Sequence, residues 1–217
     1  MDTTLFDPSC VRCERLTAFL AEVRLEHPSY HCAPVPSLGE VGAPLLVVGL
    51  APGKHGANAT GRPFTGDYCG ELLYRTLHRF GFCDRPESIS ADDGLALIDC
   101  RVVNAVKCLP PDNKPIGAEI NNCNGYLAAE LEVQGPSGML VALGGVAHRA
   151  IVRALGERQA SFPFGHAREH RIGGRLLIDS YHCSRYNTQT GRLTSAMFEQ
   201  VFERARELVN GAGERRS

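Results

Sequence analysis

The chain has no tryptophan, no excess of charge of either sign and no long apolar run. Its 23 Lys and Arg nearly balance 24 Asp and Glu, for a formal net charge of −1. That excludes a histone-like protein holding nucleic acid by bulk electrostatics, although a local basic face remains compatible with it. No apolar stretch approaches the ~18 residues that a membrane-crossing helix needs. The opening Met-Asp-Thr-Thr-Leu-Phe-Asp-Pro carries neither the basic region nor the apolar stretch of a secretory signal, so a cytoplasmic protein is expected. Internal repeats and low-complexity tracts are missing too. So is the phosphate-cradling pattern G-x-x-x-x-G-K-[ST], and G-x-G-x-x-G does not follow the first strand-like run, which removes support for a dinucleotide site.

What is present fits one soluble globular domain: 217 residues, 43% hydrophobic, enough to bury a core without disulfide staples. We expect that domain to span residues 1–210 and residues 211–217 to form a flexible tail. Charge divides unevenly, with 8 basic and 13 acidic side chains in residues 1–100 against 15 and 11 in residues 101–217. Any basic face therefore lies C-terminal. Its densest part is Arg168, His170, Arg171 and Arg175, followed by Arg185 and Arg192, although an ordinary solvated surface would look the same.

Strand and helix signals alternate along the chain. Continuous apolar runs at Leu45–Leu50, Arg101–Val106, Met139–Leu143 and Arg175–Asp179 read as buried parallel strands. Helical spacing marks Leu16–Leu25, Asp67–Phe80, Ala118–Val133, Val146–Leu155 and Ser195–Val209, the last with Phe198, Val201, Phe202, Ala205 and Leu208 on one face. Strands separated by helices predict a parallel sheet covered on both sides.

Nine cysteines make an odd number, and a disulfide framework is not expected where thiols are kept reduced. Cys10 and Cys13 form C-x2-C ahead of the first helix, a spacing that lets two thiolates converge on one centre. No strand precedes them, which disfavours a thioredoxin-type motif. Cys108 and Cys123 lie at element boundaries, whereas Cys69 and Cys100 read as small buried core thiols. Four thiolates suit either a tetrahedral zinc or a [4Fe–4S] cluster, and spacing does not choose between them.

In open α/β sheets the functional site lies outside the carboxyl ends of the strands. Gly49-Leu50-Ala51-Pro52-Gly53 follows the first strand, and Gly61-Arg62-Pro63-Phe64-Thr65-Gly66-Asp67 comes soon after. Asn104 ends the second strand, and Tyr181-His182-Cys183-Ser184-Arg185 follows the fourth. An aromatic ring, an amide, a carboxylate and an imidazole thus meet in one cleft. Taken singly, each has a plainer reading: Phe64 as core, Asp67 as a helix cap, His182 as a satisfied histidine. His148, His166 and His170 are expected at the surface or on a ligand-facing side.

These motifs, in this order and with Cys10, Cys13, Cys108 and Cys123, resemble the iron–sulfur uracil-DNA glycosylases from about Cys10 to Phe202. Leu50 stands where the type-4 enzymes have Glu, so the chain is most similar to the type-5 branch, known for a broader range of deaminated bases. The resemblance implies a three-layer α/β/α sandwich on a four-stranded parallel sheet. It also implies a [4Fe–4S] cluster on those four cysteines, tying down the N-terminal segment. It implies a monomeric, monofunctional glycosylase of base excision repair, nucleoid-associated and without membrane contact, acting on DNA that contains uracil or other deaminated bases such as hypoxanthine and xanthine.

Cleaving an N-glycosidic bond builds positive charge on the sugar and negative charge on the leaving base. The base must first be flipped into a pocket and its edge read there. Phe64 supplies a stacking face, and Gly49, Leu50 and Ala51 complete the base site. Asn104 donates and accepts at once, and His182 donates to the pyrimidine oxygen. The first-motif carboxylate is missing, and Asp67 is its expected substitute in orienting water or offsetting sugar charge. Cys183 replaces the proline that usually follows the histidine. Ser184 and Arg185 are expected to touch DNA. Two alternatives stand beside this reading: a damaged-DNA or single-stranded-DNA binding module with little turnover, and a zinc-bound nucleotide hydrolase.

Overall fold

Four apolar runs become the inner strands of one sheet in the computed structural model, which describes residues 5–214. They are β2 (Leu45–Gly49), β3 (Cys100–Asn104), β4 (Met139–Leu143) and β6 (Arg175–Ser180). Two further strands, β1 (Leu38–Gly39) and β5 (Glu169–Ile172), flank them, in the order β1-β3-β2-β4-β6-β5. The inner four run parallel, whereas each edge strand pairs antiparallel with its neighbour. The sheet is therefore mixed and six-stranded, which corrects the expected four-stranded parallel one. Neither edge strand has an apolar run to announce it: β1 is two residues long, and β5 reads Glu-His-Arg-Ile with alternate residues buried. Charged, short or half-exposed edges of this kind guard a sheet against pairing with other chains.

Strand alternation sends successive side chains to opposite faces, and both faces are covered. Leu45, Val47, Val102 and Val141 pack beneath α3 (Tyr68–Arg79) and α7 (Ser195–Glu214). Leu46, Val48, Val103 and Leu140 pack beneath α4 (Gly117–Gln134) and α5 (Gly145–Ala154). The predicted apolar face of α7 is the buried one: Phe198, Val201, Phe202 and Ala205 are all inside. This helix runs on to Glu214 and so takes in residues 211–214 of the expected tail, while residues 215–217 lie outside the described residues.

A third apolar cluster joins α1 (Glu14–Glu26), through Leu16, Leu20 and Val23, to Val106, Cys108, Leu109 and Cys123. Arg15 grips Glu119 of α4 with two contacts of 2.8 and 2.9 Å, which fastens the N-terminal segment beside the chain after β3. Two short helices, α2 (Ala57–Thr60) and α6 (Arg185–Gln189), are too brief to show a hydrophobic period. From β2 the chain turns first to β3 and later to β4 on the other side. That reversal of direction opens a crevice at the carboxyl ends of the strands.

Candidate active site

The crevice holds a cavity of about 370 Å³ whose lining includes Leu50, Ala51, Phe64, Asp67, Asn104 and His182. Gly49 lies beneath it. It pairs with Asn104 across the parallel ladder, and a Cβ on Gly49 would stand 2.5 Å from Asn104 Oδ1 and would overlap the Phe64 ring. The missing side chain is what lets amide and ring meet over the strand end.

Asn104 is only 3% exposed, yet its Oδ1 has no hydrogen-bond partner. An unpaired buried acceptor costs about 1–3 kcal/mol, and native structures rarely tolerate one without a reason. The amide oxygen is therefore poised for a donor on a ligand.

Phe64 has φ = 54°, in the left-handed region. For a residue other than glycine that strain costs about 1–3 kcal/mol, and the surroundings must impose it. They do so from several sides. Arg62 is buried and donates to Asp93 Oδ1 and to the Ala91 carbonyl, both at 2.5 Å. Thr65 Oγ1 lies 2.6 Å from Ser88 Oγ, and Tyr74 Oη donates to the Pro63 carbonyl at 2.6 Å. Helix α3 begins hard against the same loop, since a Cβ on Gly70 would overlap the Phe64 carbonyl.

Asp67 is both a helix cap and part of the cavity wall. It caps α3, with Oδ1 accepting from the Gly70 N–H at 3.0 Å, and it lines the cavity. Burial raises its carboxyl above the ordinary value against the opposing pull of the Gly70 and Cys69 N–H groups. A raised carboxylate is a better proton acceptor.

The chain leaves β6 at Ser180, whose carbonyl accepts from the Gly144 N–H at 2.8 Å, and His182 enters the cavity two residues on. Asn187 Nδ2 donates to the His182 carbonyl at 2.8 Å and fixes the backbone there. Burial pushes the imidazole down to about 4, so the ring is neutral at physiological pH. Among the described residues no hydrogen-bond partner meets either ring nitrogen. Ser184 caps α6 and reaches the cavity, while exposed Arg185 stacks its guanidinium 5.3 Å from the Tyr68 ring centroid.

Gly53 and Ala57, in the loop that the sequence placed at the cleft, also line the cavity, whereas sequence reasoning missed Cys69 and Asn113. Cys69 is half-buried rather than a core thiol, because the second residue of α3 shares the cleft of the capping Asp67. His148 and His170 are corrected in the opposite sense, being 1% and 9% exposed. Both contact Asp179, at 2.7 and 3.2 Å, far from any surface role. Arg175 is buried too and donates to the Leu131 carbonyl, so the expected basic cluster reduces to exposed Arg168, Arg171, Arg185 and Arg192.

Cys10, Cys13, Cys108 and Cys123 line a second, small cavity together with Arg12, Lys107 and Tyr126. All nine cysteines are free thiols. Burial pushes Cys108 up to about 12 and also raises Cys123. Burial acts the same way on Cys10, but hydrogen bonds from Tyr126 and Arg12 outweigh it and hold that thiol below its ordinary value. Arg12 Nε donates to Cys10 Sγ at 3.3 Å, and Asn122 Nδ2 lies 3.5 Å from Cys13 Sγ.

An α/β sheet with a mainly apolar cavity at its switch point, into which a few polar side chains converge, defines a small-ligand site. Residues 36–206 match the family model of the uracil DNA glycosylase superfamily, and the chain belongs to that family. It is similar to the type-5 uracil-DNA glycosylase of Thermus thermophilus, 43% identical over 207 residues that cover 93% of this chain and 94% of that protein. The type-5 uracil-DNA glycosylase of Pyrobaculum aerophilum is 41% identical over 201 residues, covering 91% of this chain and 88% of its own. The type-4 uracil-DNA glycosylase of the same organism is more distant, at 33% over 125 residues, 57% of this chain and 56% of its own. The resemblance to the type-5 branch is thus borne out. No helix among the described residues is long and apolar enough to cross a membrane.

Proposed function

We propose that this protein is a monofunctional DNA glycosylase that hydrolyses the N-glycosidic bond of uracil, and of other deaminated bases, leaving an abasic site for base excision repair. The observation that carries the reading is the unpaired, buried Oδ1 of Asn104 beside an unpartnered neutral imidazole. The imino N–H of a flipped uracil satisfies that oxygen, and the Asn104 amide N–H answers the adjacent carbonyl. Phe64 stacks on the base, an interaction worth about 1–3 kcal/mol in comparable sites. His182 donates to the pyrimidine oxygen as the bond breaks and charge moves onto the base. Asp67 orients the water that adds to the sugar carbon, and the base leaves with a proton. The cavity of about 370 Å³ admits a purine ring as well as a pyrimidine, which supports hypoxanthine and xanthine as further substrates.

DNA is held by Ser184 and Arg185 at the cavity rim and by the exposed arginines nearby. The protein acts as a monomer in the cytoplasm, at the nucleoid. The binding-module reading has one observation in its favour: Asp67 Oδ1 already caps a helix, and Leu50 supplies no carboxylate. Single-turnover cleavage of duplexes carrying one uracil, hypoxanthine or xanthine, developed with alkali, separates the two. Alkali-dependent nicking at several bases is the expected result; none at all would leave the binding module.

Cys10, Cys13, Cys108 and Cys123 fit a [4Fe–4S] cluster. They share one cavity, yet no three of their sulfurs lie within 4.8 Å of one another. Zinc bound at about 2.3 Å needs sulfurs roughly 3.8 Å apart, whereas four irons that each take one thiolate hold them wider. Such a group supplies a structural tie between the N-terminal segment and the chain after β3. Cys108→Ser should lose iron and solubility together; a soluble, fully iron-loaded variant would remove Cys108 from the ligand set.

A further inference from the structure

Cys69, His182 and Cys183 come from two separate chain segments, yet their two sulfurs and an imidazole nitrogen all lie within 4.8 Å of one another. A tetrahedral zinc with bonds of about 2.3 Å to sulfur and 2.0–2.1 Å to nitrogen needs ligand separations of roughly 3.5–3.8 Å. Adjustments on the order of 1 Å would bring the three atoms there. Two of the three, Cys69 and His182, line the open cavity, so an ion can enter and its fourth position faces that space. The trio His148, His170 and Asp179 is as compact but already engaged: His148 Nε2 donates to the Phe162 carbonyl at 2.7 Å, and Asp179 meets both rings and the Gly165 N–H. The ring nitrogens of His182 have no such partners.

We propose that Cys69, His182 and Cys183 form a second metal site, separate from the four-cysteine centre, that takes a thiophilic cation of the zinc class and closes the cavity to a base. Binding displaces one proton from each thiol and uses the lone pair of the neutral imidazole. The ion and its water then stand where the flipped base would sit. Metal and damaged DNA therefore compete, and base removal is tied to free metal. The inhibition rests on the glycosylase reading above; the binding does not.

The test is zinc binding to the full chain, without DNA, by equilibrium dialysis against buffered free Zn²⁺, comparing the unsubstituted protein with Cys69→Ala and Cys183→Ala. Metal taken up by the four-cysteine centre is common to all three and cancels. The expected result is one additional equivalent bound by the unsubstituted protein, with affinity at least ~tenfold weaker in each variant. Equal uptake by all three proteins would overturn the site. The second measurement is uracil excision against free Zn²⁺, each protein scaled to its own metal-free rate. Zinc should raise KM more than it lowers kcat in the unsubstituted protein, chelator should reverse this, and Cys69→Ala should be less sensitive. Unchanged KM in a protein that binds the extra equivalent would overturn the competition.

Discussion

Two polar clusters lie three residues apart along one strand end, and they differ in one respect. Around Asp179 both carboxylate oxygens are answered: two histidine rings and the Gly165 N–H meet them, and the Phe162 carbonyl takes the far nitrogen of His148. Around His182 the ring nitrogens and the Asn104 Oδ1 are left open beside a cavity. Residue types do not separate the two, since both contain histidine and acid. Completeness of hydrogen bonding does. A satisfied buried network specifies the fold, and an unsatisfied one is held in readiness for something that is not protein.

The largest effect should come from breaking the complete network. Asp179→Ala leaves two histidines without their acceptor and should cost about 3–5 kcal/mol, as when one partner of a buried pair is removed. Urea unfolding measures it, and a loss below about 1 kcal/mol would show the network to be incidental. The open cluster should respond the other way. Asn104→Ala or His182→Ala should lower single-turnover excision at least tenfold, about 1.4 kcal/mol of barrier, while unfolding is little altered. Unchanged rates in both would discard the pocket.

Gly49→Ala sharpens the contrast because it removes no functional group. The added methyl displaces Asn104 Oδ1 and the Phe64 ring, and excision should fall by about the same factor; normal activity would mean that strand-end spacing is not critical. The smallest effect is in pH. His182 titrates near 4 when folded and near 6.5 when unfolded, so the unfolded chain binds the extra proton between those values. Stability from this group is complete above pH 6.5 and is lost as pH falls toward 4. The slope of unfolding free energy against pH across that window should be shallower in His182→Gln; an identical slope would place the ring in solvent.

The inner sheet was legible in sequence because buried parallel strands are apolar throughout, and Met139–Leu143 falls on its predicted bounds. Edge strands and one-turn helices were not, since too few residues are involved for any period to emerge. In the site, Gly49, Phe64, Asp67, Asn104 and His182 could be placed together because each sits at a strand end or in the loop that follows one. Cys69 and Asn113 join the cavity through a helix turn and a distant loop, contacts with no local pattern. His148 and His170 went astray for the same reason: their partner Asp179 reads in sequence as the ordinary end of a strand.

The Phe64 backbone is held in its unfavourable conformation by Arg62, Thr65, Tyr74 and Gly70. The aromatic face is thus a fixture of the native state, and its ordering entropy is charged to folding rather than to the encounter with DNA. On the proposed function, an extruded base would meet a rigid wall instead of recruiting one. Loosening Arg62 or Asp93, neither of which lines the cavity, should then weaken DNA binding more than it slows bond cleavage.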